Sequence, residues 1–270
     1  MRARNIPRVV ALAAALLCAQ PVFAGRSCEA RKPTAVSIER GLVMAERTHH
    51  ALEAAHARDG TQVVLLARAG QDLGKYGVRY SHLGIAYRTR DAQGADVWRI
   101  VHKLNHCGTA DAAIYRQGLG EFFLDDLWRQ EAAWVPLAPA LQSQMAALLR
   151  DDARAMRLHV RPYSIVSYPW ATKYQQSNQW AIETLALAAE PQVRSREQAQ
   201  AWLRLKAYEP AVLRLGPLTR LGGRMSAANV AFDDHPDAKR FANLIETVTV
   251  DSVFAWTQRA GLSGPPVVLR

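Results

Sequence analysis

Two histidines, His82 and His102, lie on segments that read as neighbouring strands, and a later segment, Ser177-Asn178-Gln179-Trp180, reads as the polar start of a helix. Residues of these types in this order suit acyl transfer. The free N–H groups and dipole of a helix N-terminus stabilise an anionic nucleophile, and an imidazole within reach takes its proton. The candidates are His82, His102 and the helix start at Ser177 and Asn178, which could supply that geometry. Ser177 carries a hydroxyl. Asn178 is no nucleophile for acyl transfer but is a good helix N-cap. A sulfur nucleophile is available only at Cys107, and only if it is reduced and folds beside His82. The loop containing Tyr163, Tyr168, Trp170 and Tyr174 either walls a ligand pocket or packs on itself.

Other chemistries find less support. The sequence has no Gly-rich phosphate loop, no Gly-x-Ser-x-Gly elbow and no cysteine pair with zinc spacing. His49, Glu53 and His56 share a helical stripe without the His-Glu-x-x-His pattern. Asp233-Asp234-His235 precedes Pro236 and reads as a helix start. His102, His106 and Cys107 lie along one strand and its end, where alternate side chains are too far apart to converge. Neither a metal nor a cofactor is expected.

Thr34 caps a helix running to about Ala57, with Ile38, Leu42, Ala45 and Leu52 as its apolar stripe. Val63 to Ala67 reads as a strand buried on both faces. Arg79 to Arg88 and Val97 to Leu104 alternate and form a hairpin around Asp91 to Gly94. A turn centred near Ala92 sets Tyr87 opposite Val97 and His82 opposite His102, with Gly84 and Ala86 facing Ile100 and Trp98. Strands follow at Ala112 to Gln117 and Glu131 to Leu137, with a short helix at about Phe122 to Trp128 between them. Helices are expected at Pro139 to Met156, Gln179 to Ala189, Ser195 to Ala207, His235 to Glu246 and Asp251 to Ala260. Strands gathered in the first half with helices around them make an α+β domain, an antiparallel sheet flanked by helices.

Arg2, Arg4 and Arg8, the apolar run Val9 to Leu17 and the small-residue exit at Ala24 have the layout of a secretory signal peptide. This divides the chain into a leader, residues 1–24, and one domain, residues 25–270, working in the periplasm. Removing three arginines and no acid lowers the formal charge from +10 to +7. The remaining basic residues are scattered among acids, so nucleic acid is not an expected partner. The apolar run is too short to span a bilayer. The two mature cysteines, Cys28 and Cys107, read as a disulfide in an oxidising compartment.

Taken together, Ser81-His82-Leu83-Gly84-Ile85-Ala86-Tyr87, then His102, then Ser177 to Glu183 resembles the circularly permuted papain-like hydrolases, relatives of the NlpC-like cell-wall peptidases and the lecithin:retinol acyltransferase group. The resemblance implies a permuted papain-like fold, His82 as base, a polar orienting residue at His102, and Asn178 standing where that family has its cysteine. The whole mature chain is similar to the family of secreted bacterial proteins called domain of unknown function 2145. This second likeness runs through Ser27-Cys28-Glu29, Tyr80 to Gly84, Asn105-His106-Cys107 and Ser177 to Trp180, and implies no activity. The expectation is a papain-like cleft that binds an envelope peptide or acyl ligand without turnover. The alternative is a hydrolase or acyltransferase using Ser177, or Cys107, with His82.

Overall fold

The computed structural model describes residues 33–125 and 127–270. Residues 1–24, expected as a leader, and Cys28 lie outside them. Helix α1, Ala35–Asp59, begins with a capping box between Thr34 and Ser37 and ends at Gly60, whose φ of 75° places it in the left-handed region. Its buried stripe is Gly41, Met44, Ala45, Thr48, Leu52 and Ala55. Ile38 and Leu42, expected on that stripe, are exposed. A Cβ at Gly41 would lie 2.9 Å from the carbonyl oxygen of Phe123, so only glycine allows this approach.

The main sheet contains β1 (Val63–Arg68), β2 (His82–Arg90), β3 (Asp96–Asn105), β4 (Ala112–Gly118), β5 (Ala132–Pro136) and β8 (Val267–Leu269) in the order β4-β3-β2-β1-β5-β8, every pair antiparallel. Its two faces bury different cores. Val63, Leu65, Leu83, Ile85 and Val101 pack with α3 (Pro139–Leu149), α5 (Ser177–Ala189), α6 (Arg196–Leu205) and α9 (Val250–Arg259). Val64, Leu66, Ala86, Trp98 and Ile100 pack with α1 and with α2 (Leu119–Phe123). Apolar residues at consecutive positions of β1 serve both cores, as a strand covered on both sides requires.

The hairpin turn differs from expectation by one residue. Asp91 Oδ1 accepts the N–H groups of Gln93 and Ala95 at 2.9 Å, and Gly94 takes φ 82°. The loop is therefore centred on Gln93. Ala86 pairs with Ile100 and Arg88 with Trp98, a shift of two positions. Because side chains alternate with a period of two, the shift keeps His82 and His102 on one face and sets them diagonally.

Several helical expectations are corrected. Pro139 to Met156 is two helices, α3 and α4 (Asp152–Met156), because the Asp151 side chain accepts the N–H of Arg154 and caps a second start. The helix expected at Phe122 to Trp128 is the earlier and shorter α2. His235 to Glu246 holds only α8 (Asp237–Phe241) before Asn243, at φ 63°, turns the chain into strand β7 (Leu244–Thr247). β7 pairs with β6 (Ala211–Arg214), and α7 (Pro217–Ser226) follows β6; none of β6, α7 or β8 was expected. No helix among the described residues is long and apolar enough to cross a membrane.

Candidate functional site

His82 opens β2 and faces α2. Its Nε2 lies 2.8 Å from Nδ1 of His102, whose Nε2 lies 2.8 Å from Oε1 of Gln117 on β4. The amide oxygen can only accept, so His102 donates from Nε2 and offers the lone pair of Nδ1. His82 in turn donates from Nε2, which leaves its Nδ1 with a lone pair on a half-buried side chain. Phe122 packs against both rings, with centroids 5.9 and 5.4 Å away. Gly84 makes the diagonal contact possible: a Cβ there would lie 2.5 Å from Ile100 Cγ2 and 3.4 Å from His102 Cβ.

Arg68, opposite His82 on β1, lies 4.6 Å from the Phe122 ring centre, donates to the carbonyl oxygen of Phe122 and pairs with Asp125. Burial, then the charge of Arg68, lowers the His102 pKa to about 4. The same two causes, with His102 added, hold His82 well below its ordinary value. Both imidazoles are neutral at neutral pH.

The other half of the expected constellation lies across the sheet. Gln176 caps α5 by accepting the N–H of Asn178 at 3.2 Å, so the N-cap is one residue earlier than the place proposed for Ser177 and two before Asn178. Asn178 Oδ1 accepts the N–H of Leu83 at 3.0 Å, and its Nδ2 donates to the carbonyl oxygen of Val248 at 3.1 Å. Ser177, also buried, is within hydrogen-bonding reach of the Tyr163 phenol, whose pKa burial raises. α5 packs with Leu83 and Ile85, on the face opposite that of His82. The structure thus brings His82 to His102, and Asn178 to the backbone of β2, but it directs His82 away from the helix start.

The four loop aromatics do not converge. Tyr168 stacks against His235 with centroids 5.1 Å apart, Trp170 meets Tyr208 at 6.0 Å beneath the guanidinium of Arg204, and Tyr174 lies beside Lys173. His235 is satisfied by Asp234 and by the carbonyl oxygen of Glu246, both at 2.9 Å. His106 Nε2 lies 3.1 Å from the Tyr115 hydroxyl.

Two features escape a reading of motifs. Under α5, Glu183 accepts from Arg196, Gln200 and Gln175, and Gln175 also receives the buried Lys103 Nζ at 2.9 Å. Burial, reinforced by Arg196, lowers the Lys103 pKa to about 7. At the sheet end where His82 lies, a cleft of about 600 Å³ is lined by residues of the β1–β2 loop, by Trp128 to Glu131 and by Arg270. Arg79, Arg129 and Arg270 converge on Glu131 at 2.6, 3.4 and 3.1 Å, and the hydrogen bond from Arg79 is the main cause that lowers the Glu131 pKa to about 2. Trp128, 54% exposed, stands on the cleft wall. These arginines are spread over nearly 200 positions of sequence, so no local signal marks them.

Residues 55–257 match the model of a family described as an uncharacterized protein conserved in bacteria, DUF2145. Neither a curated protein nor a solved structure matches the chain.

Proposed function

Since the chain belongs to this uncharacterised bacterial family, DUF2145, we propose from the site itself that it is an exported binding protein which holds an envelope peptide or acyl ligand without turnover. The commitment of Asn178 carries this reading. At the place expected for a nucleophile, both ends of its amide are used to fasten α5 to Leu83 and Val248, while His82 faces the other side of the sheet. The order of strand histidine, second strand histidine and later helix start is that of a permuted papain-like scaffold, put to use here as a frame.

The ligand sits in the cleft beside Glu131. Three guanidinium groups share one carboxylate there, which favours a ligand bearing a second carboxylate; the exposed ring of Trp128 offers an apolar surface for its remainder. A signal peptide over residues 1–24 and a Cys28–Cys107 disulfide fit work in the periplasm.

The test is a titration with a fluorescent acyl-peptide carrying a free carboxylate. Arg79→Ala and Trp128→Ala should each weaken binding by about tenfold, as loss of a charge-assisted bond or an aromatic wall does. A serine-directed fluorophosphonate should leave the protein unlabelled. Labelling that disappears in both Ser177→Ala and His82→Ala would replace this reading with the hydrolase or acyltransferase one.

A further inference from the structure

We infer that helix α7 docks the protein onto an anionic phospholipid surface, with its outward apolar stripe entering the interfacial layer. Leu218, Leu221 and Met225 are 83%, 55% and 80% exposed. At 100° per residue they fall within a sector of about 60° on one side of the helix. The side turned to the protein is formed by the buried Gly223 and by Arg220, whose guanidinium folds back to the carbonyl oxygen of Leu215 at 2.6 Å and Oδ1 of Asn243 at 2.8 Å. A surface helix ordinarily buries its apolar stripe and exposes its polar one; this helix does the reverse.

The local core does not need the stripe. Leu215, Val230, Phe232 and Ile245 form a buried cluster without any of the three side chains. Charge selects the occupant. From Ala211 to Phe232 the chain contains Arg214, Arg220 and Arg224 and no carboxylate, and Arg214 and Arg224 are exposed. Arg224 lies next to the stripe around the helix. Apolar side chains bordered by arginine suit the boundary between headgroups and acyl chains of an anionic bilayer, where the apolar groups lose water and the guanidinium groups meet phosphate.

The test uses the full chain purified from an exporting host, with vesicles of phosphatidylglycerol and phosphatidylethanolamine and, separately, of phosphatidylcholine. Flotation should recover the protein with the anionic vesicles about tenfold more than with the neutral ones, and added salt should reduce the recovery. Replacing Leu218, Leu221 and Met225 together by Gln should abolish flotation without lowering the melting temperature, since none of the three is buried. In Leu218→Trp, tryptophan emission should shift to the blue on adding anionic vesicles. Equal flotation of the triple variant, equal recovery with neutral vesicles, or no flotation overturns the proposal. Absence of flotation together with a dimer in sedimentation that the triple variant lacks would assign the stripe to a second copy of the chain.

Discussion

The side-chain oxygen of Asn178 accepts the backbone N–H of Leu83 at 3.0 Å, while the same amide donates to Val248. One polar side chain thus ties α5 to the start of β2 and to the segment leading into α9. Replacing it by Ala leaves the buried N–H of Leu83 without its side-chain acceptor, while the Val248 carbonyl keeps Gln176 Nε2 at 2.8 Å, and should cost about 1–3 kcal/mol in urea unfolding. Asn178→Cys is the more telling variant. It puts a sulfur where the resemblance to papain-like hydrolases expects one but should not confer turnover of ester or amide substrates, because His82 faces α2.

Acid should weaken the fold through the histidine pair. His102 is depressed from 6.5 to about 4 in the folded chain, so between those values the unfolded chain binds the extra proton and stability falls as pH falls. Above about pH 7 both states are neutral and the effect is absent. His102→Gln removes one of three depressed imidazoles; His82 and His159, the latter lowered to about 4 chiefly by burial, remain. Its loss of stability between pH 7 and pH 4.5, followed by urea midpoints, should be smaller than that of the wild type by about 2 kcal/mol.

Gly84→Ala should destabilise the protein by about 1–3 kcal/mol, the usual cost of overpacking a closed core. Its Cβ would lie 2.5 Å from Cγ2 of the fully buried Ile100. Thermal unfolding of Gly84→Ala, Ile100→Ala and the double variant checks the assignment: removing Cγ2 relieves the clash, so the double variant should lose less than the two single losses added together.

Glu183 should prove the most sensitive charged residue. It is buried with Arg196 at 2.7 Å and accepts from Gln175 and Gln200. Glu183→Ala strands the Arg196 guanidinium and should cost about 3–5 kcal/mol. Glu183→Gln, which keeps the shape, should cost less. Chemical denaturation of both variants measures the difference.

The parts of the fold legible in sequence are those governed by local pattern. Thr34 as a cap, the β1 apolar run and the alternation along β2 and β3 each depend on neighbours within a few residues, and each is found. The His82–His102 contact was expected as a directly opposed pair; a one-residue error in the turn made it diagonal, and parity preserved it. Whether His82 and the start of α5 share a sheet face depends on which helices cover which side, a property of the assembled layers that no spacing encodes. β6, α7 and β8 were missed for another reason. Two are short strands with little periodicity, and α7 has a clear apolar stripe that faces outward, so burial does not explain why those residues are apolar.

The position of β8 bears on the order in which the molecule can be assembled. It pairs with β5 at one edge of the sheet, and the carbonyl oxygen of Arg270 accepts from Arg47 on α1, a contact spanning 223 positions. A nascent chain that has produced everything up to α9 still presents the outer edge of β5 unpaired, a surface open to pairing with another chain. Closure therefore comes late and depends on non-local contacts, which slow folding. On the export route proposed above, such a delay would keep the chain unfolded while it is threaded through a membrane.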